Sequence, residues 1–155
     1  MDNDEVVSIL NGLIETCKDG EAGFRTCAEH AHDPQLKTLF EDRGRRCTTA
    51  ALELQDLVRT YGGDPERGSS LTGVLHRRWI DIKSVVTERN DHAILVECER
   101  GEDVAVRSYR NALDKVLPPE VRSVVERQYR GVLKNHDEVK RLRDQMQASS
   151  HLDKQ

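Results

Sequence analysis

The chain has 155 residues, which is long enough for one domain with its own core and short for two. Charged residues make up 34% and aromatic residues 4%, which favours long solvated helices over a sheet. The formal net charge of −4 argues against a nucleic-acid binder, because such proteins carry a basic face. No apolar run approaches the ~20 residues that span a bilayer, and the acidic opening Met1–Glu5 is unlike a signal peptide. We therefore expect a cytoplasmic protein that does not enter a membrane.

Apolar residues recur at alternating steps of three and four, which predicts four long helices. Asp33-Pro34 supplies an N-cap followed by a proline at the first helical position, and Gly62-Gly63 is a stop signal. Pro119 is placed to open the last helix. The predicted helices cover about residues 4–31, 34–61, 91–116 and 119–146, with a shorter crossover helix at about 70–87. Residues 147–155 are polar and predict a flexible tail.

The connections decide how these helices are arranged. Short breaks near Asp33 and Pro118 make helices one and two, and helices three and four, antiparallel pairs. Two such hairpins joined by a long crossover predict an all-α, ferritin-like four-helix bundle over residues 1–146. A faint repeat supports this arrangement, since Gly20-Glu21 and Gly101-Glu102 each lie in the middle of a helix that ends at a proline-led turn.

Glu102 lies on the core stripe of the third helix, where an apolar residue would be expected. A carboxylate in that position must be paired, protonated or bound to a metal ion. A turn centred near Pro118 places Glu102 level with about Lys134. His136 is then within about one helical turn, or ~5.4 Å along the axis, of Glu102.

One interpretation of these polar residues is a metal site in the bundle core. Carboxylates combined with imidazole suit iron or manganese, and bundle cores hold di-metal carboxylate sites. The candidate ligands are Glu21, Glu102 and His136, with Glu99 or Glu53 as further members. A di-iron site would also need a Glu-x-x-His motif on each of two helices. Helix four has Leu133-x-x-His136 and helix two has Glu53-x-x-Asp56, so that motif is absent.

The other interpretation is a set of buried ion pairs, which fix helix register more than they add stability. Glu21 would pair with Arg43 or Arg46, and Glu102 with His136. This interpretation is favoured, because guanidinium groups near Glu21 would compete with a metal ion for the same carboxylate. The four cysteines have no C-x-x-C spacing and predict buried free thiols.

Several segments of the sequence resemble those of a known protein family. They are Leu13-Ile14-Glu15-Thr16, Lys18-Asp19-Gly20-Glu21, Asp33-Pro34-x-Leu36-Lys37-x-Leu39-Phe40, Ala51-x-Glu53-Leu54-Gln55-x-Leu57-Val58, Leu75-His76-Arg77-x-Trp79-x-Asp81-x-Lys83, Glu97-Cys98-Glu99-Arg100-Gly101-Glu102-Asp103 and Leu117-Pro118-Pro119-Glu120-Val121-Arg122. Together they resemble a bacterial family of ferritin-like four-helix-bundle proteins that carries only a domain-of-unknown-function label. The resemblance covers about residues 6–145 and implies the fold and a bacterial cytoplasmic origin. It implies no agreed activity, since related families include metal-binding and metal-free members.

The sequence therefore predicts a non-catalytic bundle protein with a structural or stress-associated role. The alternative is an iron- or manganese-binding protein, or an oxidoreductase, that uses the carboxylate and histidine layer. Assembly into a homo-oligomer, or with an unidentified protein partner, is left open by the sequence.

Overall fold

A computed structural model of the protein describes residues 1–65 and 90–153, with side chains through residue 148. This part of the chain forms four helices and no strand, which confirms the all-α class and is consistent with a four-helix bundle. The helices are α1 (Asn3–His30), α2 (Pro34–Thr60), α3 (Asp91–Leu113) and α4 (Pro119–Asp153). The predicted crossover helix at about 70–87 lies outside the described residues. Within those residues, no helix combines the length and apolar character needed to cross a membrane.

Side-chain and glycine caps explain where the helices begin and end. The Asp33 carboxylate accepts a hydrogen bond from the Gln35 amide at 2.8 Å, and Pro34 is the first helical residue of α2. At the other end of α2, Gly62 has a φ of 79°. Its neighbour Gly63 donates from its amide to the Val58 carbonyl at 2.9 Å, as in a Schellman motif. Glycine suits position 62 because residues with a side chain are strained at positive φ.

Contacts at the helix ends fix how the four helices lie. The Asp91 carboxylate at the start of α3 accepts hydrogen bonds from the amides of His32 and Asp33, at 2.8 and 2.9 Å. At the opposite end, the Tyr61 hydroxyl donates to Glu120 of α4 at 2.6 Å. Helices α1 and α3 are therefore antiparallel neighbours, and so are α2 and α4. Helices α2 and α4 contact each other at few residues along their length.

The core consists of two apolar clusters, one toward each end of the bundle. One cluster surrounds Leu10, Leu54 and Val121. The other contains Phe24 and Phe40, whose rings stack with centroids 6.3 Å apart. The residues between the clusters are more polar, and they include Glu102. The fold therefore places Glu102 in the middle of the bundle.

Two helix ends differ from the expected positions. α3 ends at Leu113 instead of about 116, and Leu117, which precedes a proline, is buried against the core. α4 continues to Asp153, seven residues past the expected end at 146. Residues 147–153 contain neither glycine nor proline, so nothing in them breaks the helix.

Candidate functional site

The Glu102 carboxyl lies in the interior between the two apolar clusters, and the residue is 4% exposed. The Cys98 thiol, one turn earlier on α3, donates to its Oε1 at 3.7 Å. Burial raises the pKa of Glu102 to about 8, while the Cys98 thiol and the nearby Arg43 charge lower it and Asp103 and Glu99 raise it. Burial dominates because it disfavours the charged form. Glu102 is therefore mostly protonated and neutral at pH 7.

The other four candidate ligands each contact a protein partner. Glu21 bonds Arg25, one turn along α1, at 2.7 Å. The remaining contacts join different helices: Glu53 with Arg127 and with Gln128 at 2.7 Å, Glu99 with Arg143, and His136 with Asp103 at 2.5 Å. The three carboxylates and the imidazole therefore each have a protein side chain as a partner.

Two of the expected pairings are wrong in this structure. His136 contacts Asp103 and not Glu102. Adjacent residues on a helix point about 100° apart, so Asp103 faces α4 where Glu102 faces the interior. Glu21 pairs with Arg25 and not with Arg43 or Arg46, because its side chain lies at the edge of the α1 core face and is about a quarter exposed. The Gly20-Glu21 and Gly101-Glu102 pairs therefore do not place two equivalent carboxylates in the core.

Arg43 is a buried cation in the middle of the bundle. Its side chain is only 5% exposed and bonds Asp42 at 2.9 Å and Glu138 of α4. The guanidinium thus bridges α2 and α4 where these helices otherwise meet at few residues. Because both partners are partly exposed, the arrangement ties the buried Arg43 charge to carboxylates that keep some hydration.

The candidate ligands do not fit a single metal ion as they are arranged. In the described residues, no three His, Cys, Asp or Glu side chains are grouped so that they could hold one. Glu99 and Glu53 bond guanidinium groups, which a cation would have to displace. All four thiols are free; Cys17, Cys27 and Cys98 are buried as predicted, whereas Cys47 is partly exposed. Burial raises the pKa of Cys17 to about 11, so its metal-binding thiolate form is disfavoured.

A buried hydrogen-bond chain crosses all four helices and was not singled out from the sequence. The Tyr109 hydroxyl donates to Gln128 Oε1 at 2.7 Å and lies 3.3 Å from the Cys17 thiol. The Gln128 amide nitrogen in turn donates to Glu53 at 2.7 Å and to the Ala50 carbonyl at 3.3 Å. Cys17, Tyr109 and Gln128 all follow the three- and four-residue spacing of the apolar residues in their helices. The polar member of the α4 stripe, Gln128, was the signal that a partner must lie opposite it.

α1 also buries two carboxylates that the periodicity did not assign to the core. Glu15 is 3% exposed and Asp19 is 5% exposed. Each interacts with other groups, so neither is an unpaired charge. They lie one turn apart, beside the main apolar stripe of α1, where a pattern-based prediction expects solvent.

A cavity of about 370 Å³ adjoins Glu102 in the middle of the bundle. Its wall is mainly apolar and includes Phe24, Val104 and Val132. Its exposed lining residues, including Arg45 and Arg127, all belong to α2 and α4. The mouth therefore lies between the two helices that meet at few residues.

Comparison with protein families matches residues 5–115 to a family described as Domain of unknown function (DUF2383). The chain belongs to the DUF2383 family. The DUF2383 match spans α1 to α3, so it includes Glu21, Glu53, Glu99 and Glu102. Helix α4, with His136, lies outside the matched range. No curated protein matches the chain. The DUF2383 description assigns no activity, and the function must be argued from the residues themselves.

Proposed function

We propose that this DUF2383 protein is a non-catalytic bundle of ferritin-like topology with a structural or stress-associated role. The topology is supported by the end contacts, which make α1 antiparallel to α3 and α2 antiparallel to α4. α2 thus ends and α3 begins at opposite ends of the bundle, as two hairpins joined by a long crossover require. Self-association, a cytoplasmic location and a bacterial origin stay predictions.

The proposal rests on the polar side chains in and beside the bundle core, here called the polar layer: Glu53, Glu99, Glu102 and His136. Each of them bonds another protein group. Glu53, Glu99 and His136 each bond a side chain on another helix. Interhelical pairs of this kind fix the register in which helices pack, even where they add little net stability. Glu102 bonds Cys98 of its own helix and joins no second helix, but its neutral form is compatible with the core because it buries no uncompensated charge.

Metal analysis of protein purified without a chelator tests this role. The proposal predicts far less than one iron or manganese ion per chain. It also predicts that added Fe(II) or Mn(II) leaves the melting temperature unchanged, because a ligand that binds the native state must raise it. A full equivalent of metal in the wild type that Glu102→Gln removes would overturn the proposal.

The alternative function is a metal-binding protein or oxidoreductase that uses Glu21, Glu102 and His136, with Glu99 or Glu53. It is favoured by the Glu102 carboxyl, which has no ion pair among the described residues and lies beside a cavity. A divalent cation there would keep Glu102 ionised at neutral pH. Binding by the whole set would require Glu99 to leave Arg143 and His136 to leave Asp103. The same metal analysis separates the two functions.

A further inference from the structure

We propose that the cavity between α2 and α4 is a binding site for a small anion with an apolar body, such as a medium-chain carboxylate. The anionic group would lie at the mouth near Arg45, and the apolar chain would extend inward beside Phe24 and Val104. This site shares Glu53 and Arg127 with the ion pairs between the helices, and the family description does not assign it.

The volume and the wall of the cavity indicate the size and the apolar character of the ligand. A volume of about 370 Å³ falls in the usual range of small-molecule pockets, ~300–1,000 Å³. It is more than twice the ~150 Å³ of an engineered apolar cavity that binds benzene. Most of the surface that lines the cavity is apolar and comes from all four helices, and the acidic residues Asp19, Glu53 and Glu102 also line it. An unbranched alkyl chain of moderate length suits such a space.

Glu102 contributes to the wall without adding charge. Its protonated carboxyl presents a hydrogen-bonding group to the cavity, and its contact with Cys98 is on its own helix. The polar groups of Tyr109 and Gln128 also line the cavity, but they bond each other. These groups therefore do not require water or an ion inside the cavity to satisfy them.

The mouth sets the charge of the ligand. Arg45, Arg46 and Arg127 line it and are all exposed. Arg46 and Arg127 contact Asp42 and Glu53, whereas Arg45 has no ion pair in the part of the chain that the structure describes. Its guanidinium is therefore available to a carboxylate, which it matches in geometry. A cationic ligand would be repelled by the Arg45 guanidinium at the entrance.

Calorimetric titration of the full chain at pH 7 with octanoate, 1-octanol and octylamine tests the ligand class. The three probes share one alkyl chain and differ in charge. We expect octanoate to bind saturably with a Kd below about 1 mM. 1-Octanol should bind at least about threefold more weakly, which is the factor expected for one solvent-exposed ion pair. Octylamine should bind more weakly still.

Two pairs of variants test the location. Gly131 lines the mouth on α4, and a Cβ added there would meet no atom within 4 Å, so Gly131→Leu should fold and block the entrance. Gly12→Leu is the matched control, because Gly12 has equal space in α1 and does not line the cavity. Arg45→Gln should weaken octanoate binding about threefold, the effect of one exposed ion pair. Arg107→Gln removes an exposed arginine of α3 that does not line the cavity.

The proposal is supported if octanoate binds, Gly131→Leu loses at least about tenfold in affinity while Gly12→Leu does not, and only Arg45→Gln of the arginine pair weakens it. It is overturned if octanoate shows no saturable binding. It is also overturned if octylamine or 1-octanol binds as tightly as octanoate, or if Gly131→Leu or Arg45→Gln binds octanoate like the wild type.

Discussion

Replacing Glu102 by glutamine should change how the stability of the protein depends on pH. Glutamine keeps the oxygen that accepts from Cys98 and cannot ionise. The pKa of Glu102 rises from 4.5 to about 8 on folding because the side chain is buried. Between these two values the unfolded chain releases a proton that the native protein retains. Raising the pH through this window therefore destabilises the wild type, and the loss levels off above about pH 8.

The size of the effect follows from the same two pKa values. Each pH unit above 4.5 costs the wild type up to about 1.36 kcal/mol. At pH 7 the accumulated cost is roughly 3 kcal/mol, which Glu102→Gln should avoid apart from the cost of burying an amide. For a chain of this size, that difference corresponds to about 5–10 °C in melting temperature.

The assay is the melting temperature of both proteins between pH 5 and pH 8. Taking the difference at each pH cancels the contributions of groups that both proteins share. The difference should grow with pH in favour of Glu102→Gln. Glu29→Gln is the control, because Glu29 is exposed to water and its removal should give a difference that does not grow with pH. Parallel pH profiles for wild type and Glu102→Gln would refute the assignment of a neutral, buried carboxyl.

Three further changes should alter the free energy of unfolding in urea. Gly63→Ala should cost about 1–3 kcal/mol, because the added Cβ would lie 2.5 Å from a valine methyl of α1. Gly12→Ala is its control. An added Cβ has open space there, and the change should stabilise the protein by up to about 1 kcal/mol. Tyr109→Phe should cost about 1–3 kcal/mol, because a buried glutamine oxygen loses its donor; Tyr129→Phe is its control. Arg43→Gln should cost about 1–3 kcal/mol by breaking the buried link between α2 and α4.

Specific results would contradict each of these expectations. Equal stability of Gly63→Ala and Gly12→Ala would mean that α1 does not approach the end of α2 closely. A cost for Tyr109→Phe no larger than that of Tyr129→Phe would show that the hydroxyl is not part of a buried network. An Arg43→Gln variant as stable as the wild type would show that the guanidinium is not a buried cation.

The fold class was accessible from the sequence because its signals are local. The three-and-four spacing of apolar residues, the Asp33-Pro34 cap and the Gly62 stop each depend on neighbours in the chain. The end of α4 was harder to place, because its last residues are polar without containing a helix breaker. The polar composition of residues 147–155 predicted a flexible tail, whereas the backbone continues as a helix to Asp153.

Partner choice inside the bundle was less accessible, because it depends on helix rotation and register. Glu102 was correctly placed on a core stripe, but its neighbour Asp103 is the residue that contacts His136. Glu99, which was a candidate ligand, bonds Arg143 of α4. Long arginine side chains reach along a helix pair, so the level of the backbone alone does not identify their partners.

The protonation state of Glu102 decides between a polar layer held by protein groups and one that needs a bound cation. Carbon-13 NMR of the glutamate carboxyl carbons, with Glu102→Gln used to assign the signal, measures it directly. The carboxyl resonance of Glu102 should titrate with a midpoint near pH 8. A midpoint at or below the ordinary value of 4.5 would contradict the account, since the buried group would then be charged at neutral pH and would need a cation beside it.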